Sequence, residues 1–234
     1  MFDISRRVVM ITGSVGNLGQ AVAEALVAMG ARTVLVDRSQ DRLSEAFPKL
    51  TNNADHLLVG GVDLLSAESV SNCVAKAVAR FDRIDALVHT VGGFRGGKSV
   101  AEESLEAWDS LFNLNVRTTL LACRAVIPAM RRQRSGRIVT VGSRAALQGG
   151  AGLAAYCAAK SAVLRMTESM AAELAPEGIN VNCVLPGTLD TPQNRAAMPD
   201  ADSTTWVRPA NVARVVAFLV SDLAQAVRGV AIPL

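Results

Sequence analysis

Apolar runs of strand length alternate with amphipathic stretches of helical spacing along the whole 234-residue chain. The runs "RRVVMIT" (6–12), "ARTVLVD" (31–37), "HLLVGGVD" (56–63), "RIDALVHTV" (83–91), "GRIVTVG" (136–142), "INVNCVLP" (179–186) and "GVAIPL" (229–234) read as strands. They are apolar at successive positions instead of alternating, which is the pattern of parallel strands covered by helices on both faces. Helical patterns fall between them at 17–29, 39–47, 66–80, 104–134, 152–175 and 209–221. Gly30 stops the first helix, and Pro128 predicts a bend or break late in the fourth. No linker, repeat or low-complexity segment interrupts this rhythm. It predicts one α/β domain over residues 1–234, with a doubly wound, seven-stranded parallel sheet flanked by helices on both faces. Ligands of such a sheet bind outside the carboxyl ends of the strands.

Composition narrows the classes of partner. With 50% hydrophobic residues, a chain of this length can bury one large core. The net charge of +3 is spread thinly, and the longest basic run, Arg131-Arg132, reads as a solvated helix end. This is not the footprint of a nucleic-acid-binding surface. Cys73, Cys123, Cys157 and Cys183 lie 50, 34 and 26 residues apart, so no metal-ligand spacing or disulfide framework is visible. Buried thiols and no metal are expected. The start, "MFDISRRVVMITG", places charges before a short apolar run but shows no cleavage site. That run is too short to span a membrane, so a cytoplasmic protein without membrane contact is expected.

The first chemical signal is "TGSVGNLG" (12–19), which follows a strand and opens a helix. Gly13, Gly16 and Gly19 form G-x-x-G-x-x-G, one residue longer in its first gap than the commonest dinucleotide-binding turn. Such glycines allow a tight turn, close approach of the backbone to a pyrophosphate, and close packing of helix on strand. The helix N-terminus then favours the diphosphate. Asn17 stands where its side chain can cap the helix. By itself the turn is equally compatible with a tight turn that binds nothing. Asp37, ending the second strand 18 residues after Gly19, adds a carboxylate suited to ribose hydroxyls.

The second signal is "AAYCAAK" (154–160). Tyr156, the one tyrosine of the chain, and Lys160 are four apart on a helix, about 6 Å along its axis and on one face. A phenol near pKa 10 is a poor acid–base catalyst at neutral pH unless a nearby ammonium stabilises the phenolate. An isolated Y-x-x-x-K is ordinarily a half-buried tyrosine beside a surface lysine. Here Ser143 ends the fifth strand 13 residues before Tyr156, at the edge where ligands bind. Asn115, in "LNLNV", is a mediocre helix former inside the fourth helical stretch and requires a reason.

With "DL" (63–64), "VGG" (91–93), "NV" (115–116), "VGS" (141–143) and "LPGT" (185–188), these motifs stand in one order along the chain. In that order they resemble the short-chain dehydrogenase/reductase family, a Rossmann-fold family of NAD(P)-dependent oxidoreductases, and the likeness covers essentially the whole chain. The resemblance implies hydride transfer between nicotinamide and a small carbonyl or alcohol substrate. It assigns Tyr156 as general acid/base, Lys160 as the group that lowers its pKa and binds the nicotinamide ribose, and Ser143 as the donor to the substrate oxygen. It assigns Asn115 to hold a proton-relay water. It also implies cofactor contacts from Gly13, Val15, Gly16, Asn17, Leu18, Gly19, Asp37, Arg38, Asp63, Leu64, Gly92, Pro186, Gly187 and Thr188, besides Tyr156 and Lys160.

There are departures from that pattern. The family's main branch has glycine at the position of Asn17, and its "NNAG" is here "HTVG" (89–92), in which His89 reads as a packing residue and not a catalyst. The turn spacing, "VGGFRGG" (91–97) and the segment 188–206 look like dihydropteridine reductase, which reduces a quinonoid pterin. That branch lacks the serine matching Ser143, so carbonyl chemistry is the first reading and the pterin the second. A non-catalytic NAD(P) sensor, the reading from another class, has no use for Asn115, Ser143, Tyr156 and Lys160 together. Asp37 favours NAD(H), because it would meet the extra phosphate of NADP(H) as a like charge, whereas Arg38 could clamp that phosphate. Segment 188–206 is expected to close over substrate, with Phe94 or Trp206 as an apolar wall. Leu120, Leu121, Val163 and Met170 extend beyond one helical stripe, and relatives pair these helices, so a homodimer or homotetramer is expected.

Overall fold

A computed structural model describes residues 3–234, so the first two residues of the N-terminal stretch read above lie outside the described residues. Seven strands form one sheet: β1 (Val8–Thr12), β2 (Arg32–Val36), β3 (His56–Val59), β4 (Ala86–His89), β5 (Gly136–Val141), β6 (Ile179–Leu185) and β7 (Ala231–Pro233). All pairings are parallel, in the order β3-β2-β1-β4-β5-β6-β7. The order reverses between β1 and β4, which opens a crevice at the carboxyl ends of those two strands.

Eight helices cover it: α1 (Asn17–Ala28), α2 (Gln40–Ala46), α3 (Ala67–Phe81), α4 (Leu105–Phe112), α5 (Thr118–Gln133), α6 (Ala154–Leu174), α7 (Pro192–Ala197) and α8 (Pro209–Leu219). Successive strand residues point to opposite faces, so each strand feeds two cores. Val9, Ile11, Leu35 and Val139 meet Val22 and Leu26 of α1 and Val212 and Val216 of α8. Val8, Met10, Val34 and Ile138 meet Val74 of α3, Val126 and Met130 of α5, and Leu174 of α6. Each such side chain contributes about 1.5–3 kcal/mol by leaving water, and this two-sided burial is the reason the strands carry no polar alternation. Ser39, Ser66 and Ser104 cap α2, α3 and α4 through their hydroxyls.

Three local expectations need correction. The long fourth helical stretch is not broken at Pro128: α5 runs through it to Gln133, with Pro128 on the exposed side. Its interruption lies earlier, where Asn113–Arg117 forms a π-helical turn between α4 and α5. Asn17 is not the cap of α1. Gly16 occupies that position without any side-chain bond, and the Asn17 amide instead donates to Gln193 Oε1 at 2.8 Å. Within segment 188–206, Thr191 caps the short helix α7. The predicted strands 56–63, 83–91 and 229–234 are shorter in the fold because their ends leave the ladder as loops.

Candidate active site

The turn after β1 is shaped by contacts that only glycine permits. Gly13 has φ +73°, and a Cβ on Gly19 would lie 2.1 Å from the Gly13 carbonyl oxygen. The Thr90 hydroxyl, in the loop after β4, donates to Thr12 O at 2.7 Å and ties the turn to its neighbour. Beside it opens a cleft of about 1010 Å³ lined by Gly13, Val15, Gly16, Asp37, Arg38, Asp63, Leu64 and Gly92. These eight are residues that the motifs had picked out for a dinucleotide. Leu18 and Gly19 are buried, and Leu18 packs into the core, so its side chain does not face the cleft. Pro186, Gly187 and Thr188 follow β6 farther along the edge, with Gly187 N–H donating to Leu234 O at 2.9 Å.

The cleft also has walls that the motifs did not show. Arg42 of α2 stands beside Asp37 and Arg38, and Glu106 and Asp109 of α4 form part of the lining. Arg42 lies one helical turn beyond Arg38, a spacing visible in the sequence. The acids of α4 reach the cleft only through tertiary packing. Asp37 accepts its neighbour's N–H, Arg38 N, at 2.8 Å through Oδ1.

Asn115 now has its reason. Its Nδ2 donates to Leu111 O at 3.0 Å and to Gly93 O at 3.1 Å, and its Oδ1 accepts from Gly93 N at 3.1 Å. By taking a carbonyl from the preceding turn, the side chain competes with the helical ladder, and the backbone widens there into the π turn. The same side chain clamps the loop after β4. Its own carbonyl accepts from the Thr119 hydroxyl at 2.6 Å.

Lys160 is buried beneath this loop and donates to Val141 O at 3.1 Å. A Cβ on Gly92 would come within 2.8 Å of Asn115 Oδ1 and 3.0 Å of Lys160 Nζ, so these two polar groups converge where Gly92 leaves room. The Lys160 ammonium lies 5.9 Å from the centre of the Tyr156 ring. Burial lowers its pKa to about 8. Burial also raises the Tyr156 phenol above its usual range, and the nearby Ser143 hydroxyl opposes that rise. At neutral pH the phenol is therefore protonated, next to a hydroxyl that follows the end of β5. Phe94 stands edge-on against the Tyr156 ring, with centroids 5.0 Å apart.

His89 is a packing residue, as its place suggested. It is fully buried, bonds Thr12 Oγ1 at 2.8 Å and Thr118 Oγ1 at 3.2 Å, and is held neutral with its pKa pushed down to about 3. All four cysteines are free and buried. Among the described residues no cluster of three or more His, Cys, Asp or Glu is arranged to hold a metal, and no helix is long and apolar enough to cross a membrane.

The family model for short chain dehydrogenases matches residues 7–202. Cyclopentanol dehydrogenase of Comamonas testosteroni is 33% identical over 239 aligned positions, covering 98% of this chain and 95% of that protein. The crystal structure of levodione reductase superposes with a TM-score of 0.88 at 29% identity, covering 99% of this chain and 96% of that one. That of NAD+-bound xylitol dehydrogenase gives 0.89 at 25% identity, covering 99% and 98%. Sheet order, glycine turn and family match agree, and the chain belongs to the short-chain dehydrogenase family of oxidoreductases.

Proposed function

We propose that the protein transfers hydride between NAD(P)(H) and a carbonyl or alcohol substrate, with Tyr156 as general acid/base. The observation that carries this reading is the half-buried phenol whose ring lies 5.9 Å from the Lys160 ammonium, with the Ser143 hydroxyl near enough to act on its titration. The residues present fit a dinucleotide, because the cleft runs from the glycine turn to Gly92, where any side chain would fill the space. When bound, the nicotinamide supplies or takes the hydride. Ser143 orients the substrate oxygen toward Tyr156, whose proton moves to that oxygen in reduction. Lys160 stabilises the resulting phenolate and would hold the nicotinamide ribose. The Asn115 carbonyl would hold a water through which Lys160 regains a proton. Segment 188–206 would close over the substrate, its α7 already joined to the glycine turn through Gln193 and Asn17.

Absorbance at the reduced-nicotinamide band tests the reading, using a panel of ketones and aldehydes and a quinonoid dihydropterin. Loss of absorbance with a carbonyl supports it. Activity with the pterin alone moves the protein to the pterin reductases, and cofactor binding with no turnover of any compound makes it a sensor.

For the cofactor we propose NADH over NADPH by about tenfold in kcat/KM. Asp37 lines the cleft and keeps one carboxylate oxygen free for ribose hydroxyls. Opposed to an added phosphate at about 4 Å and an effective dielectric near 20, it would cost about 4 kcal/mol before screening. Water and salt remove much of this, and about 1.4 kcal/mol remaining gives the tenfold. Arg38 and Arg42 act against it. Asp37→Ala is expected to erode the preference, and Arg38→Ala to harm NADPH more than NADH. A wild-type enzyme faster with NADPH at limiting cofactor would hand the role to the two arginines.

The helical face also supports self-association. Leu105 is 81% exposed, Leu120 48%, and Trp108 stacks on Phe112 at the surface of α4. Val163, by contrast, is 1% exposed and belongs to the core, so it is no part of this face. We expect a homodimer or homotetramer. Light scattering at micromolar concentration should give a multiple of 24.6 kDa, and the single-chain mass would refute it.

A further inference from the structure

The mouth of the site carries cations that no described residue pairs with. Arg144 directly follows Ser143, in the short helical turn Arg144–Ala146 at the carboxyl end of β5. Its backbone N–H donates to Pro186 O at 3.2 Å, which fixes the residue against the loop after β6. Its side chain runs along Gly187, with Cδ and Nε both 3.7 Å from where a Gly187 Cβ would stand. The guanidinium is exposed, and among the described residues no hydrogen bond or ion pair involves it. Its Cα is about 3.8 Å from that of Ser143, so it sits at the same edge as the hydroxyl and phenol assigned to the carbonyl oxygen.

Arg95 repeats the pattern on the other wall. It follows Phe94, whose ring lies against Tyr156, and it too is exposed and without a side-chain partner among the described residues. Among the acids on the segment after β6, Asp190 and Asp202 are committed within that segment, Asp202 to Thr204. Asp190 is already held by Arg195 through two bonds, at 2.6 and 3.0 Å. Asp37, Asp63, Glu106 and Asp109 line the dinucleotide cleft and not this mouth. The planar fork of an arginine matches a carboxylate or phosphate in bidentate geometry. An unpaired arginine held next to the serine that orients the substrate oxygen is placed to meet an anion that arrives.

We infer that the substrate is a carbonyl compound, or its alcohol, bearing an anionic group such as a carboxylate or phosphate within a few bonds of the reacting carbon, and that Arg144 binds that group. This rests on the hydride-transfer reading above and names its substrate class. Arg144 would hold the anion while Ser143 and Tyr156 engage the carbonyl oxygen, so two points fix which face of the carbonyl is presented. Arg95 adds long-range attraction and contributes less.

The test compares matched substrates with the full-length protein and NADH: an oxo carboxylic acid, its methyl ester, a phosphorylated ketone and the corresponding unphosphorylated ketone. The wild type should prefer the anionic member of a pair by about tenfold to a hundredfold in kcat/KM, the range for charge-assisted bonds. Preference in the acid pair or in the phosphate pair tells which anion the site takes. Arg144→Leu should collapse that ratio toward unity, mainly through KM, and Arg144→Lys should restore part of it. Equal use of charged and neutral members would overturn the inference and leave hydride transfer standing. So would an Arg144→Leu variant whose NADH KM rises equally with every substrate, since Arg144 would then be a cofactor ligand. If no carbonyl is reduced, calorimetry of the NAD+-loaded protein with benzoate and benzamide still decides it. Tighter benzoate binding that Arg144→Leu removes supports the anion site, and equal binding of the two overturns it.

Discussion

Replacing Tyr156 by Phe is expected to lower turnover by about 10²–10⁴ while leaving cofactor affinity within about twofold. The substitution removes one oxygen and little else, since a phenyl ring can keep the edge contact with Phe94. It deletes the proton that Ser143 helps to aim and leaves the glycine turn, Asp37 and Gly92 untouched. Fluorescence titration of NADH and single-turnover kinetics separate the two effects. Near-normal turnover in a folded variant would remove Tyr156 from the reaction. The wild type should also show a directional pH dependence. Because burial raises the phenol's pKa, the protonated form needed for reduction persists through neutral pH, whereas alcohol oxidation needs the phenolate and should accelerate as pH rises.

Lys160→Met should do two opposite things, abolishing activity by about 10²–10⁴ and making the folded protein more stable at pH 7. Lys160 is 5% exposed, and burial lowers its pKa from 10.5 to about 8. The unfolded chain therefore binds more protons than the folded one between those values. Wild-type stability rises with pH across that window, and the full cost of the buried charge is felt below it. Two and a half pKa units correspond to about 3 kcal/mol. Losing the bond to Val141 O returns about 1 kcal/mol of that. A net gain of about 1–2 kcal/mol should raise the midpoint of thermal unfolding by about 2–8 °C. The gap between variant and wild type should narrow as pH rises from 7 toward 10, when the lysine becomes neutral. A gap independent of pH would show that the ammonium is not the source of the cost. Here a charge needed for chemistry is held at the expense of the fold.

Both predictions concern residues that the chain announces locally. Tyr156 and Lys160 share a face because four residues make about one turn, and Ser143 ends a strand whose apolar run is plain. The sheet is equally plain, because strands buried on both faces leave long apolar runs, and Gly13, Gly16 and Gly19 mark the turn that follows the first. In each case the signal is a short-range periodicity, and short-range order is what a linear sequence records.

Other features depend on groups far apart in the chain. Asn115, beside the π turn at Asn113–Arg117, clamps Gly93, 22 residues away, so the sequence showed an ill-placed asparagine but not the loop it holds. Pro128 looked like the break and was not, since its exposed side of α5 tolerates a missing N–H. Asn17 looked like a cap until α7 brought Gln193 to it from 176 residues away. Gly92 could be matched to a motif, yet only packing shows that its missing side chain makes room for Asn115 and Lys160. The unpaired state of Arg144 likewise follows from which acids the fold brings near and which it commits elsewhere. Composition counts charges, but pairing is a property of distances, and those are set only when the sheet and helices have closed on one another.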